Sequence, residues 1–245
     1  MSFSVPASIP ELSGKALIVP VVSTANLAQL AADLLIASLS LRRLAVVDPS
    51  YFVPAVGGRE DGELGITLPM ELYGSPASNV VIVQQRSPVL KSKKQKFVDA
   101  LLKFISTSGV ACVLFLSGLD VTNRTDQQML TPTYFITPIA LDLEKTPLNR
   151  LASLPIPRFH NENETIPTIP GSGLTKRILS SLPEGWSIPI SALLHFVLEG
   201  DNRYDAQLFA SVVSRVVGLD QLIWRQPTSW AEGLFGAPPD QDIYG

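Results

Sequence analysis

Leu17-Ile18-Val19-Pro20-Val21-Val22-Ser23-Thr24 is followed by a segment whose apolar positions Leu27, Leu30, Ala31, Leu34, Leu35 and Leu39 recur at helical spacing. The first six residues are a short β-branched run with a proline near its end, which predicts a buried strand that breaks there. Ser23 or Thr24 is placed to cap a helix over residues 26–41, and the apolar stripe gives that helix one face to lay on a sheet. Residues 44–47 predict the next strand, stopped by Asp48-Pro49. Strand, helix and strand in this order form a βαβ unit, which favours a parallel sheet with a right-handed crossover.

Outward from this unit the same alternation continues. A Gly- and acid-rich loop over 54–70 contains Val56-Gly57-Gly58-Arg59-Glu60. Strands are expected at 80–84, 110–116 and 134–139, with a helix over 91–107. Residues 142–170 read as an irregular excursion carrying Pro147, Pro155, Pro157, Pro167 and Pro170. A helix is expected to begin near Leu174, and two more at 188–199 and 202–219. In the last, Tyr204, Leu208, Val212 and Val216 form one stripe with Phe209, Val213 and Val217 beside it. A face that wide is either deeply packed or shared with a partner. The expected fold class is α/β and layered, with one domain over 1–230 and a flexible tail over 231–245.

Composition narrows the function. In 245 residues, Lys+Arg 19 against Asp+Glu 22 gives a net charge of −3, without the basic excess of a nucleic-acid binder. Hydrophobic residues make up 46% and charged ones 17%, which excludes disorder for most of the length and leaves apolar surface for a partner. Cys112 is the single cysteine, so no intramolecular disulfide forms, and its apolar surroundings make it a core residue. The first ten residues carry neither the basic start nor the apolar stretch of a signal peptide, and the longest apolar segment, 27–39, is interrupted by Gln29 and Asp33. A soluble cytoplasmic protein is expected, with the nucleus as a second compartment, no membrane partner and no nucleic acid. The sequons at Asn123 and Asn163 are accordingly read as chance matches.

Catalytic patterns are scarce. There is no G-x-S-x-G, and His160 and His195 are the only candidate bases. His160 lies in the Pro-rich loop and His195 within Leu193-Leu194-His195-Phe196, read as part of an apolar helix, so both are assigned surface or packing roles. Two histidines and one cysteine do not make a closed zinc site without several carboxylates, and neither metal nor cofactor is expected. Pro170-Gly171-Ser172-Gly173-Leu174-Thr175-Lys176 is the one candidate phosphate loop. Its glycines are two apart, its lysine follows three residues later, and a loop rather than a strand precedes it. It reads as a flexible entry to a helix, although helix N-termini do attract anions. Lys91, Lys93, Lys94 and Lys96 read as a solvated face, with contact to an acidic protein surface as the alternative. The chain closes on Asp242-Ile243-Tyr244-Gly245, which reads either as a frayed end or as a terminus that docks as a peptide, its carboxylate paired with a buried lysine or seated in a backbone nest and its phenol in a slot beside it.

Several segments, in order, resemble the proteasome assembly chaperone 2 family. They are 17–23 with 26–34, Val53-Pro54-Ala55-Val56-Gly57, Gln85-Arg86-Ser87, the Pro170–Lys176 loop, Glu199-Gly200-Asp201-Asn202, and Ser229-Trp230 with Leu234-Phe235-Gly236. The similarity spans nearly the whole chain. One departure is that Ala25 and Ala28 stand where glycines are expected. The resemblance implies a three-layer α/β/α core with a mainly parallel sheet and no catalytic site. It also implies a non-enzymatic chaperone that pairs with proteasome assembly chaperone 1 and binds α-subunits of the 20S proteasome. In it, Ile243, Tyr244 and Gly245 match a hydrophobic-Tyr-any tail that enters pockets between α-subunits. The alternative is an anion-binding hydrolase or phosphorylase-like enzyme using the Gly171–Lys176 loop. A homo-oligomeric scaffold is a third reading.

Overall fold

A computed structural model describes residues 3–5, 12–60, 64–138, 143–160, 164, 166–231 and 233–234. Its strands are β1 (Ser4–Val5), β2 (Ala16–Pro20), β3 (Arg42–Val47), β4 (Gly57–Gly58), β5 (Ile66–Thr67), β6 (Met70–Gly74), β7 (Val80–Gln85), β8 (Cys112–Asp120), β9 (Thr133–Ile136) and β10 (Ile190–Val197). Its α-helices are α1 (Leu27–Ser38), α2 (Lys94–Ser108), α3 (Arg150–Ser153), α4 (Gly173–Ser180) and α5 (Arg203–Val216). Eight strands form one sheet in the order β1-β3-β6-β7-β2-β8-β10-β9, while β4 and β5 make a separate small hairpin. The central four, β7-β2-β8-β10, are parallel; β6, β3 and β1 on one flank and β9 on the other pair antiparallel with their inner neighbours.

Side-chain alternation along the central strands builds the three layers. Leu17, Val19, Val81, Val83, Val113 and Phe115 face α2 and α4, whereas Ile18, Val80, Ile82, Leu114 and Leu116 face α1 and α5. With both faces covered, these strands read as continuous apolar runs. On α2, Phe97, Val98, Leu101, Leu102, Phe104 and Ile105 are buried at helical spacing. Burial of each such side chain contributes about 1.5–3 kcal/mol of transfer free energy. Gly109, at φ 75°, ends that helix in the left-handed conformation glycine tolerates.

The α/β/α layering agrees with the sequence expectation, and three elements differ from it. First, β2, α1 and β3 do run strand, helix, strand with the strands parallel, but β6 and β7 lie between them. The crossover therefore skips two strands. Second, residues 190–197 form a central strand, not part of a helix over 188–199. All eight are buried because β8 and β9 flank the strand and helices cover it, so no period-2 pattern is left in the sequence. Third, β6 begins at the end of the segment read as a loop. All five of its residues are buried, including Glu71, whose carboxylate accepts hydrogen bonds from Arg43 (2.7 Å) and the Tyr73 hydroxyl (2.7 Å). A glutamate in a strand interior is tolerated because a partner from β3 compensates its charge.

The excursion carries α3 and a parallel bridge between Phe135 and Arg158. No helix among the described residues is long and apolar enough to cross a membrane. Cys112 is 1% exposed, and burial pushes its thiol up to about 11. Because the thiolate is the reactive form, a maleimide at pH 7.5 is expected to label Cys112 only as the protein unfolds in urea. Stoichiometric labelling of the native protein within minutes would contradict the packing of this strand.

Candidate functional site

In open α/β sheets, ligands bind outside the carboxyl ends of the parallel strands. Here the chain leaving β2 occupies that ground. The Val21 N–H donates to the Leu116 carbonyl (2.9 Å) and the Val22 N–H to Gln85 Oε1 (3.3 Å). Ser23 Oγ accepts from the Gly118 N–H (2.8 Å) and donates to the Val21 carbonyl (2.9 Å). The Ala25 N–H then donates to Glu199 Oε1 (2.9 Å), just beyond the end of β10.

This turn has an unusual backbone. Ala25 sits at φ 59°, ψ 15° and Asn26 at φ 50°, ψ 23°, both left-handed. Asparagine tolerates this conformation better than alanine, for which the Cβ costs about 1–2 kcal/mol. The glycine expected at position 25 thus has a conformational reason. Ser23 and Thr24, expected to cap α1, do not; Asn26 occupies the cap position without a side-chain capping bond. The turn is received by two glycines. A Cβ on Gly118 would collide with the Thr24 carbonyl, and one on Gly171 with Thr24 Oγ1.

The Gly171–Lys176 loop completes this end of the sheet and is occupied with structure. Gly171 has φ 74°, which frees the chain to turn into α4 at Gly173. The Ser117, Ser172 and Thr175 hydroxyls are buried and lie 2.6, 2.8 and 2.9 Å from one another. Lys176 Nζ turns outward to Glu164 (3.0 Å) and Thr168 (3.0 Å). Neither the hydroxyls nor the lysine of the loop is held for a phosphate.

Among the described residues at this end of the sheet, no nucleophile meets a base. Ser117 lies on the α4 face of β8, whereas His195, on β10, packs its ring 5.1 Å from that of Phe209 on α5. His195 Nδ1 shares a hydrogen bond with Thr133 Oγ1 (2.8 Å). Burial, aided by the Arg124 charge, lowers its pKa to about 4, so the ring is neutral at physiological pH. His160 is exposed, with Nδ1 3.3 Å from the Arg158 carbonyl. Among the described residues, no group of three or more His, Cys, Asp or Glu is placed to hold a metal.

The remaining candidates fall as follows. Lys91 and Lys96 are exposed, while Lys93 Nζ donates to the Ser50 carbonyl. The wide stripe of α5 divides: Phe209, Val213 and Val216 are buried, and Tyr204 (72% exposed) and Leu208 (40%) face outward. Leu208 and Val212 line an apolar pocket of about 200 Å³ with Pro132, Leu154, Pro155 and Ile156. Ile243, Tyr244 and Gly245 lie outside the described residues. Sequence reasoning did not find Gly118 or Ser117. Glu199 stands in a family-like segment, yet only its bond to Ala25 reveals what its carboxylate does.

A family model described as the PAC2 family matches residues 17–216. A protein named Proteasome assembly chaperone 2 from Bos taurus is 32% identical, the alignment covering 95% of this chain and 96% of the relative. The Homo sapiens protein of that name is 31% identical with the same coverages, and the one from Nematostella vectensis is 33% identical over 80% of this chain and 86% of its own length. Among solved structures, Pyrococcus furiosus PbaA, titled an archaeal homolog of proteasome-assembly chaperone, superposes with a TM-score of 0.65 at 17% identity. That superposition covers 87% of this chain and 85% of PbaA. PbaB from the same organism, titled an archaeal proteasome activator, gives 0.58 at 18% identity, covering 86% of each chain.

Two outcomes follow from this geometry. Ala25→Gly relieves the left-handed Cβ but frees the unfolded chain, so a net gain of about 0.5 kcal/mol is expected, whereas Gly118→Ala forces the turn off the strand end and costs about 2 kcal/mol. Urea denaturation measures both; a destabilising Ala25→Gly would contradict the strained turn. His195 stays neutral when folded and takes up a proton below about pH 6.5 when unfolded. Its contribution is therefore fully present above pH 6.5 and is lost as pH falls toward 4. Between pH 7 and pH 5 the loss is about 2 kcal/mol, and His195→Gln is expected to flatten that part of the profile. An unchanged slope in the variant would place the titration elsewhere.

Proposed function

This chain belongs to the PAC2 family, and from that premise we propose that it acts as a proteasome assembly chaperone and not as an enzyme. Paired with proteasome assembly chaperone 1, it binds the α-ring of the 20S core particle, promotes ring assembly and prevents premature association of rings. The observation that carries this reading is the filled strand end. Where an α/β enzyme opens a cleft, this chain packs its own residues 21–26 between Gly118, Gly171 and Glu199. The polar groups of that region are spent on the fold, and function falls to the outer surface.

Two surface elements divide the work. The outward stripe of α5, with Tyr204, Leu208 and Val212 beside the Ile156 pocket, meets the partner chaperone. Its exposed aromatic and aliphatic side chains match the composition of interface cores. Ile243, Tyr244 and Gly245 enter pockets between α-subunits. Each tail binds weakly by itself, and tethering to the heterodimer strengthens attachment by ~10²-fold or more. The protein acts in the cytoplasm and the nucleus, and needs no cofactor.

An N-terminally tagged chain pulled from cell extract is expected to recover α-subunits together with one chaperone-sized partner. Deletion of residues 243–245 reduces α-subunit recovery by ~tenfold or more and spares the partner. Leu208→Glu does the reverse, losing the partner while keeping the melting temperature within a few degrees. Equal α-subunit recovery with and without the tail sinks the docking role, and undiminished partner recovery by Leu208→Glu sinks the assignment of α5.

A further inference from the structure

A cleft of about 290 Å³ opens between the C-terminal half of α1, the start of β3, the β4–β5 hairpin and residues 225–228. Five arginines from four parts of the chain line it: Arg42, Arg43, Arg59, Arg86 and Arg225. In a chain of net charge −3, this is a local concentration of positive charge.

The acids nearby are already engaged. Arg86 forms a two-pronged pair with Asp33 (2.9 and 3.3 Å), and that carboxylate raises the guanidinium's pKa despite the opposing effect of burial. Arg43 binds Glu71 and also donates to the Ile66 carbonyl (3.0 Å). Glu60 accepts from the Thr228 hydroxyl (2.8 Å), the Ser229 N–H (3.1 Å) and the Ser229 hydroxyl (2.5 Å). Burial alone would raise the Glu60 carboxyl; the Ser229 and Thr228 bonds outweigh it and hold the group below its usual range.

The cationic supply exceeds this demand. The guanidinium groups of Arg42 and Arg225 have no hydrogen bond or ion pair among the described residues, and Arg86 Nε is buried without an acceptor. Of Arg42, Arg43, Arg86 and Arg225, only Arg43 and Arg86 are paired with a carboxylate, Glu71 and Asp33, among the described residues. The walls are fixed: the Arg225 N–H donates to Ser38 Oγ (2.9 Å), which joins the C-terminal segment to α1, and Glu60 ties the hairpin side to residues 228–229. Arginines held in a preformed concavity match the oxygens of a phosphate group in two-pronged fashion, and like charges this close are relieved by an anion.

We propose that this cleft is a binding site for a phosphate-bearing ligand, with Arg42 and Arg225 as its principal contacts and Arg43 and Arg86 as the charged floor. The site is separate from the Gly171–Lys176 loop and independent of the chaperone reading. Sodium pyrophosphate is the probe, titrated calorimetrically into the full chain and compared with sodium sulfate and sodium chloride at matched ionic strength. Pyrophosphate is expected to bind and to raise the melting temperature beyond either salt. Arg42→Glu with Arg225→Glu weakens that binding by ~tenfold or more, while Lys176→Ala leaves it unchanged. A short peptide with one phosphoserine, run in parallel, distinguishes a phosphorylated side chain from a small phosphate, and loss of either ligand's binding in the arginine variant supports the site. Circular dichroism and the ligand-free melting temperature verify that the variants fold; Arg42→Gln with Arg225→Gln replaces the reversal if it does not. Equal stabilisation by all three salts, or pyrophosphate binding undiminished in the folded arginine variant, overturns the proposal.

Discussion

The backbone of residues 21–26 lies across the carboxyl ends of the central strands, and that end of the sheet is shaped to receive it. Ser23 takes the Gly118 N–H, Glu199 takes the Ala25 N–H, and the absence of side chains at Gly118 and Gly171 makes the room. The turn holds Ala25 in a left-handed conformation that is costly for any residue with a Cβ. Such strain persists only where the surroundings over-determine it, and here a strand on each side and the loop before α4 do so.

That constraint orders the rest of the molecule. Once the turn fills the strand ends, α1 starts beside them and covers one face of the sheet with α5, while α4 starts behind Gly171 and covers the other with α2. Ser117, Ser172 and Thr175 close the space beneath as a buried hydroxyl cluster that satisfies itself. What serves as a ligand cleft in related architectures is thus a structural joint. The outward residues of α5 and the arginine-lined cleft beside α1 stay open.

Much of this architecture was legible in short stretches of sequence. The stripe from Leu27 to Leu35, the apolar runs around Ile18 and Val81, and the buried Cys112 each report a local periodicity that the fold preserves. The loop before α4 was legible as a helix entry for the same reason. Residues 190–197 were not legible, because a strand buried on both faces loses alternation and its run Leu193-Leu194-His195-Phe196 fits a helix equally well. Glu71 hid β6 in a similar way, since a glutamate argues against a central strand until Arg43 is known to face it.

The sequence by itself determined the layered α/β class, the inward face of α1 and the lack of a G-x-S-x-G motif. These follow from residue type and spacing within a dozen positions, where backbone geometry alone fixes which side chains share a face. Tertiary structure decided the insertion of β6 and β7 between β2 and β3, the filling of the strand ends and the gathering of five arginines at one cleft. Each depends on partners far apart in the chain, as Ala25 and Glu199 are, 174 residues apart. Hydrogen bonding and charge compensation act through space, so no local pattern records which distant group will satisfy a given one.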